Sequence, residues 1–279
     1  MSSCAYSYTN CQEFLHVVVG SLLFSWSIRV FLGHFMSSDL NFRSQLIVIT
    51  GVGREGQVGE AIAHSFAQRG ASLALIDLHA QSDERTATLK SLGAPHVSAH
   101  TANLADAGDA VRVAAEVQRA HEAQHGNRVH AVVCVAGGFG FTGAISDSDP
   151  DAWATQFSIN LDTAFATTRA FLPSVRSAQG SFVYFGSVAA TPGGSSRGMA
   201  AYAAAKSGVL SLMRTLALDE KAHGVRANAV APTAIRTTTN VADMGDTADY
   251  VERESVADVV AFLASPLARS VSGQTITLA

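Results

Sequence analysis

Residues 45–59 read Q-L-I-V-I-T-G-V-G-R-E-G-Q-V-G. Residues 45–50 form a short apolar run that predicts a buried strand, and residues 60–69 have the spacing of an amphipathic helix. Between them lie four glycines: Gly51, Gly53, Gly56 and Gly59. Such a turn suits the phosphates of a dinucleotide, because glycine lets the backbone approach and the start of a helix offers N–H donors.

Downstream of this unit, short apolar runs alternate with helical stretches, which is typical of a parallel sheet with crossover helices. We therefore expect one α/β domain over residues 36–279, a Rossmann-type doubly wound parallel sheet with helices on both faces. The further predicted strands are residues 73–76, 96–100, 129–135, 181–185, 225–230 and 274–278. The further predicted helices are residues 105–125, 150–176 and 200–223, with another near residue 256.

Composition excludes several classes of protein. The chain has 279 residues, 48% of them hydrophobic, which is enough for a sizeable core. Its net charge is −4 and its 19 Lys and Arg residues are scattered, so we expect no nucleic-acid partner. Cys4, Cys11 and Cys134 match neither a metal site nor a disulfide framework. We expect no metal and a cytoplasmic location.

The N-terminal segment, residues 1–35, stands apart from this pattern. Residues 14–35 carry one charged side chain, Arg29, and are long enough to span a bilayer as a helix. A signal peptide is disfavoured, because residues 1–13 contain Glu13 and no Lys or Arg. Two readings stay open: a hydrophobic extension associated with the membrane, and an extension from a misassigned start. Membrane contact is expected only if residues 14–35 are retained.

Asp77 ends the second predicted strand, 26 residues after Gly51. A carboxylate there can accept hydrogen bonds from the adenosine ribose and would repel a 2′-phosphate, which predicts that NAD(H) is preferred. Arg54, within the glycine turn, keeps NADP(H) as an alternative. Asp77 could equally be a turn residue or a helix cap.

Tyr202 and Lys206 stand four residues apart in A-A-Y-A-A-A-K, at the start of a predicted helix. They share a helix face, with Cβ atoms about 5–6 Å apart. A nearby ammonium would lower the pKa of a phenol from its usual value of about 10 and fit it for acid–base catalysis. Ser187, before the helix, could hold a substrate oxygen. The Tyr–Lys spacing by itself also occurs by chance on helix surfaces.

Two further patterns are weighed. Asn160 lies inside a predicted helix, where asparagine is a poor helix former, so it either faces inward to bind water or backbone or lies on the surface. Residues 121–125, H-E-A-Q-H, match a zinc protease signature. They close a helix end that we expect to be solvated, and no third ligand is evident, so zinc catalysis is set aside.

Taken in order, these residues resemble the short-chain dehydrogenase/reductase family, whose members carry T-G-x-x-x-G-x-G, N-N-A-G, a serine, Y-x-x-x-K and N-x-x-x-P-G. The resemblance covers residues 46–278. It implies that Tyr202 is the acid–base residue, Lys206 lowers its pKa and binds the nicotinamide ribose, and Ser187 orients the substrate carbonyl. Asn160 is implied in a water-mediated proton relay. The implied cofactor-binding residues are Gly51, Gly53, Arg54, Gly56, Val58, Gly59, Asp77, Asn103, Leu104, Ala136, Gly137, Tyr202, Lys206, Pro232, Ile235 and Thr237.

Three of the chain's departures from the family pattern bear most directly on the site. The glycine turn is two residues longer, and Gln57 replaces its middle glycine. Residues 134–137 read C-V-A-G in place of N-N-A-G. The segment after Thr237 is short, which predicts a small substrate lid. We expect an NAD(P)-dependent oxidoreductase acting on a secondary alcohol or ketone, with two alternatives: a non-catalytic dinucleotide-binding or scaffold relative, and a small-lid reductase of pterin or quinonoid substrates.

Two predicted helices are also richer in apolar residues than one sheet-facing stripe requires. An exposed apolar patch on them would mark an interface between copies of the chain, so we expect a homodimer or homotetramer. The alternative is that both helices are well buried within one subunit. The residues concerned are Trp153, Phe157, Leu161, Phe165, Phe171, Val209, Leu210, Leu212, Met213, Leu216, Ala217 and Leu218.

Overall fold

A computed structural model describes residues 40–279. The strands are Leu46–Thr50 (β1), Ser72–Asp77 (β2), Val97–Thr101 (β3), Ala131–Cys134 (β4), Ser181–Phe185 (β5), Arg226–Pro232 (β6) and Thr275–Leu278 (β7). The α-helices are Val58–Gln68 (α1), Asp83–Ser91 (α2), Ala107–His125 (α3), Pro150–Phe157 (α4), Thr163–Ala178 (α5), Ala200–Asp219 (α6), Thr238–Met244 (α7) and Arg253–Ala264 (α8).

The seven strands form one parallel sheet in the order β3-β2-β1-β4-β5-β6-β7. This arrangement confirms the predicted doubly wound α/β fold. The strand order reverses between β1 and β4, and open α/β sheets bind their ligands in the crevice beyond the carboxyl ends of the strands at such a point. The glycine turn after β1 and residues 134–137 at the end of β4 both lie at this crevice.

Helices cover both faces of the sheet. Phe66 of α1 and Val256 of α8 belong to the apolar cluster on one face. Val113 of α3, Phe171 of α5 and Met213 of α6 belong to the cluster on the other. Burial on both sides explains why β1, β4 and β5 read as continuous apolar runs rather than as alternating patterns.

The structure corrects two helix predictions. The single helix predicted over residues 150–176 is two helices, α4 and α5, joined by a π-helical turn at Ser158–Asp162. The helix predicted over residues 200–223 ends at Asp219, and a 3-10 turn follows at Lys221–His223.

Helix α2 was not predicted, because only its Leu89 is buried and its sequence has no apolar stripe. Its start is instead fixed by Ser82, whose side chain accepts a hydrogen bond from the backbone of Arg85. No helix within residues 40–279 is long and apolar enough to cross a membrane. The predictions made for residues 1–35 fall outside the described residues.

Candidate active site

Tyr202 and Lys206 lie in the first two turns of α6. The Lys206 side chain is buried and its Nζ donates a hydrogen bond to the carbonyl of Phe185, at the end of β5, at 2.9 Å. The same nitrogen lies 5.9 Å from the centre of the Tyr202 ring. The shared helix face predicted from their spacing is therefore present, and it points toward the carboxyl end of the sheet.

Ser187 follows β5 directly and is 9% exposed. A hydrogen bond with Ser187 lowers the pKa of Tyr202, but burial outweighs it and raises that pKa overall. The expectation that Lys206 lowers the Tyr202 pKa remains a prediction, since the net rise reflects burial and the hydrogen bond with Ser187. Burial also lowers the pKa of Lys206, to about 8. Tyr202 is thus a protonated phenol at neutral pH, beside a lysine whose pKa is below its usual value.

Asn160 sits in the π-helical turn and is 1% exposed. Its Oδ1 accepts from the backbone N–H of Gly138 at 3.2 Å, and its Nδ2 donates to the Gly138 carbonyl at 3.0 Å. Nδ2 also donates to the backbone carbonyl of Gln156. The inward-facing position predicted for Asn160 is confirmed, and the amide it binds belongs to the segment after β4. Such π-helical turns are frequent at functional sites.

The glycine turn brings three backbones close together. Gly51 has φ +69°, and a Cβ there would lie 2.5 Å from the backbone nitrogen of Ala136. A Cβ on Gly59 would lie 2.6 Å from the carbonyl oxygen of Gly51. Only glycine fits at these two positions, since any side chain would push α1 or the end of β4 away from the turn.

Asp77 points its carboxylate at this turn. Oδ2 accepts from the backbone N–H of Gly53 at 2.8 Å, and Oδ1 accepts from that of His79 at 3.1 Å. A cleft of about 330 Å³ begins at this carboxylate and continues to the end of β4. Its lining includes seven of the predicted cofactor-binding residues: Gly51, Gly53, Asp77, Asn103, Leu104, Ala136 and Gly137.

The other predicted cofactor residues lie around this cleft. Arg54 lines an adjoining cleft of about 650 Å³. Gly56, Val58 and Gly59 form the end of the turn and the start of α1. Pro232 ends β6, Ile235 forms a β-bridge with Val251, and Thr237 caps α7 by accepting from Asn240 N at 3.1 Å; these three line neither cleft.

Comparison with known proteins shows the family to which this fold belongs. A family profile described as enoyl-(acyl carrier protein) reductase matches residues 51–278. The chain belongs to the short-chain dehydrogenase/reductase family. It is 32% identical to a 2-(S)-hydroxypropyl-CoM dehydrogenase of Xanthobacter autotrophicus, over 83% of this chain and 93% of that protein. It is 30% identical to a (3R)-3-hydroxyacyl-CoA dehydrogenase of Canis lupus familiaris, over 86% and 97%. A short-chain dehydrogenase/reductase structure from Mycobacterium ulcerans superposes with a TM-score of 0.74 at 26% identity, covering 85% and 89%.

Gln57, which departs from the family's glycine pattern, contacts the segment after β6. Its Nε2 donates to the hydroxyls of Thr238 at 2.8 Å and Thr239 at 3.0 Å. The backbone N–H of Thr238 also donates to the carbonyl of Gly56 at 3.1 Å. The segment after Thr237, predicted to form a small substrate lid, folds as helix α7 and contacts the glycine turn directly.

Two charged residues that hold the glycine turn were missed by the sequence analysis. Glu60 Oε2 accepts from the backbone N–H of Gly56 at 2.7 Å. Arg85 donates to the carbonyl of Gly53 and lies 3.4 Å from Glu60 Oε1. The position of Glu60 in the first turn of a helix was a usable signal, because acidic residues there often bind free N–H groups. Arg85 carried no signal, since its contact joins residues 32 apart in sequence.

The expectation that residues 121–125 are solvated holds for residues 122–124 but is wrong for the two histidines. His121 is 1% exposed and His125 is 4% exposed, because α3 packs these rings against the sheet. His121 Nε2 lies 2.9 Å from the Ser98 hydroxyl on β3. Within residues 40–279 there is no group of three His, Cys, Asp or Glu side chains arranged to hold a metal ion.

The predicted apolar patch is smaller than expected. Six of its members are buried within the subunit, because α5 and α6 pack closely against the sheet: Phe171, Val209, Leu210, Met213, Leu216 and Ala217. Three large apolar side chains remain exposed: Trp153 by 41%, Phe165 by 52% and Leu218 by 75%.

Proposed function

We propose that the chain is an NAD(P)-dependent oxidoreductase that transfers hydride between nicotinamide and a secondary alcohol or ketone, with NAD(H) preferred. One observation carries the proposal: the cleft that begins at Asp77 reaches the Tyr202–Lys206 pair through Gly137. A Cβ on Gly137 would lie 3.4 Å from Lys206 Nζ and 2.5 Å from Asn160 Oδ1. Relatives named as dehydrogenases of hydroxypropyl-CoM, hydroxyacyl-CoA and meso-2,3-butanediol support the reaction type.

The described residues fit a dinucleotide. The glycine turn has no room for side chains at Gly51 and Gly59, and the N-terminus of α1 offers N–H groups to a pyrophosphate. Asp77 would hold the adenosine ribose and Lys206 the nicotinamide ribose. The bound nicotinamide supplies or accepts the hydride.

The chain's own residues control the proton and the substrate oxygen. In reduction, the Tyr202 hydroxyl donates its proton to the oxygen of the carbonyl as that oxygen becomes an alkoxide, and the Ser187 hydroxyl hydrogen-bonds the same oxygen. Burial raises the pKa of Tyr202, so the phenol holds its proton at neutral pH until an alkoxide forms. Two donors aimed at one developing negative charge stabilise the transition state more than the ground state.

The NAD(H) preference rests on charges near Asp77. A 2′-phosphate would meet this carboxylate at the end of β2, and like charges repel. Arg85, on the same side of the turn, is already engaged by Gly53, Gln81 and Glu60. Replacing Asp77 by serine should shift the kcat/KM ratio toward NADP(H) by at least about tenfold, as removing one close charge repulsion of 1.4 kcal/mol would do. A ratio that already favours NADP(H) in the unaltered protein would count against the assignment.

The experiment that tests the reaction is Tyr202→Phe. This change removes the proton donor and keeps the ring, so turnover should fall at least about 10²-fold while NADH affinity stays within about twofold. Turnover is followed by NADH absorbance and affinity by NADH fluorescence. Full turnover in the variant would mean that another group supplies the proton. NADH binding without turnover of any alcohol or ketone by the unaltered protein would favour the alternative of a non-catalytic dinucleotide-binding relative.

We also propose a homodimer or homotetramer formed through α4, α5 and α6. The support is the exposed set Trp153, Phe165 and Leu218 on these helices, since exposed apolar groups often mark interfaces. Light scattering of the chain beginning at Met36 should give two or four times the chain mass at micromolar concentration. A monomer would contradict the proposal.

A further inference from the structure

The segment after β4 is apolar and exposed. Residues 137–146 read G-G-F-G-F-T-G-A-I-S and contain no charged residue. Phe139 is 64% exposed, Phe141 69% and Ile145 80%. Large apolar side chains that are exposed together mark binding surfaces in soluble proteins. The proposed reaction does not by itself use any of them.

This segment stands beside the proposed proton donor. The ring centres of Phe139 and Tyr202 are 5.3 Å apart, and the ring planes make an angle of 74°. This edge-to-face arrangement is a favourable one for two aromatic rings. A substrate whose oxygen reaches the Tyr202 hydroxyl must therefore place one of its substituents close to Phe139.

The base of the segment is fixed to the catalytic framework. The Asn160 amide holds both the N–H and the carbonyl of Gly138. Gly140 lies against the side-chain amide of Gln156, which is 6% exposed, and a Cβ on Gly140 would overlap that amide. The π-helical turn thus sets the direction in which Phe139 and Phe141 project.

The far side of the segment is fixed to the chain that leads into α6. The backbone N–H groups of Thr142 and Gly143 both donate to the carbonyl of Gly198, at 2.9 and 3.1 Å. Gly198 has φ +73°, and a Cβ there would overlap the ring of Phe141. Phe141 is therefore seated on a glycine four residues before Tyr202, and its exposed face is held in place before any substrate arrives.

We propose that Phe139 and Phe141 form an aromatic wall that binds the larger substituent of the substrate, and that this substituent is an uncharged aryl or extended alkyl group. The inference rests on the proposed function and names its substrate class: ketones or secondary alcohols with an apolar group next to the reacting carbon. Burial of such a group against two preorganised rings removes apolar surface from water on both sides.

The alternative is a substrate whose larger substituent is acidic rather than apolar. Residues 137–146 contain no cation, but Arg197 directly precedes Gly198, on which Phe141 is seated, and it is exposed. A substrate carboxylate or phosphate would depend on Arg197 rather than on the aromatic rings. The two substrate classes therefore predict opposite results for substitutions at Arg197 and Phe141.

The experiment compares three alcohols with NAD⁺: 1-phenylethanol, 2-propanol and 3-hydroxybutyrate. The unaltered protein should prefer 1-phenylethanol over 2-propanol by at least about 10²-fold in kcat/KM. Phe141→Ala should lower kcat/KM for 1-phenylethanol by about tenfold or more, mainly through KM, and change 2-propanol by less than about twofold. Arg197→Ala and the control Leu267→Ala, an exposed apolar residue far from the cleft, should change neither.

The aromatic wall would be overturned if Phe141→Ala lowered kcat/KM equally for 1-phenylethanol and 2-propanol. It would also be overturned if the protein preferred 3-hydroxybutyrate and Arg197→Ala abolished that preference. Binding of acetophenone, measured by calorimetry in the Tyr202→Phe background, separates this proposal from the proposed function. If no alcohol is oxidised but acetophenone binds and Phe141→Ala weakens that binding about tenfold, the reaction is wrong and the aromatic wall stands. If turnover is present and acetophenone binding does not depend on Phe141, the wall is wrong and the reaction stands.

Discussion

Lowering the pH from 7.5 to 5 should destabilise the fold through two histidines packed between α3 and the sheet. Burial, together with neighbouring imidazole rings, lowers the pKa of His121 to about 4. Burial, with His125 and Arg128 nearby, lowers the pKa of His130 to about 4. His130 Nδ1 accepts a hydrogen bond from the backbone N–H of Leu46 at 3.0 Å. A proton on that nitrogen would break this bond at the start of β1.

The direction of the stability change follows from the pKa of each imidazole in the native and the unfolded state. An unfolded histidine has a pKa of about 6.5, so between pH 6.5 and 4 the unfolded chain binds protons that the native state does not. The free energy of unfolding is therefore unaffected above pH 6.5 and falls as the pH drops toward 4. The difference between an unfolded pKa of about 6.5 and a native pKa of about 4 amounts to about 2 kcal/mol of unfolding free energy per ring at pH 5. Allowing for the partial exposure of His130, we expect a loss of about 3 kcal/mol between pH 7.5 and 5.

Urea unfolding followed by circular dichroism at pH 7.5, 6 and 5 measures this loss. In the double variant His121→Gln, His130→Asn, the amides replace the ring nitrogens that contact Ser98 and Leu46 but do not titrate. The pH-dependent loss should shrink by more than half in this variant. His223→Gln, at an exposed position, is the matched control and should behave as the unaltered protein. A double variant that loses as much stability as the unaltered protein would refute the reasoning. The carboxylates whose pKa is lowered, such as Glu220, lose their contribution only at lower pH.

Three further predictions follow from single contacts. Lys206→Met should abolish turnover, because the Lys206 side chain lies beside both Tyr202 and the cleft. It should also weaken NADH binding at least about tenfold, as measured by fluorescence titration. An unchanged NADH affinity would show that Lys206 does not bind the cofactor. Gln57→Ala should raise the KM for NADH about three- to tenfold with little change in kcat, because two hydrogen bonds to α7 are lost. An unchanged KM would show that these bonds do not hold α7 against the glycine turn. Arg176→Leu should lower the free energy of unfolding, measured in urea, because the Glu220 side chain, 4% exposed, would lose its partner at 2.5 Å. Glu220→Gln should cost less, and equal costs would argue against an unpaired carboxylate as the cause.

The sequence alone determined the order and the type of most elements. Strand β5 was predicted at its observed bounds, since S-F-V-Y-F is a short apolar run that strong turn signals enclose. The shared face of Tyr202 and Lys206 was also predictable, because residues four apart on a helix always lie on one side. These inferences rest on local periodicity. Because periodicity is a property of neighbouring residues, it can be recognised without knowledge of the fold.

Tertiary structure decided what periodicity does not encode. The π-helical turn at Ser158–Asp162 adds a residue so that Asn160 can reach Gly138, and no local pattern distinguishes it from continuous helix. The burial of His121 depends on how closely α3 packs against β3. The raised pKa of Tyr202 reflects its removal from water, which outweighs the opposing effect of the hydrogen bond with Ser187.

The contacts that surround the candidate site join residues that are far apart in the sequence. Gln57 meets Thr238 across 181 residues, and Phe139 meets Tyr202 across more than sixty. Which residues meet in this way depends on the register of the strands and the packing of the helices over them. The sequence therefore determined which chemical groups are available and on which elements they lie. Only the packed fold decided which of them touch, because burial and distance are properties of the whole assembly of elements rather than of any one stretch.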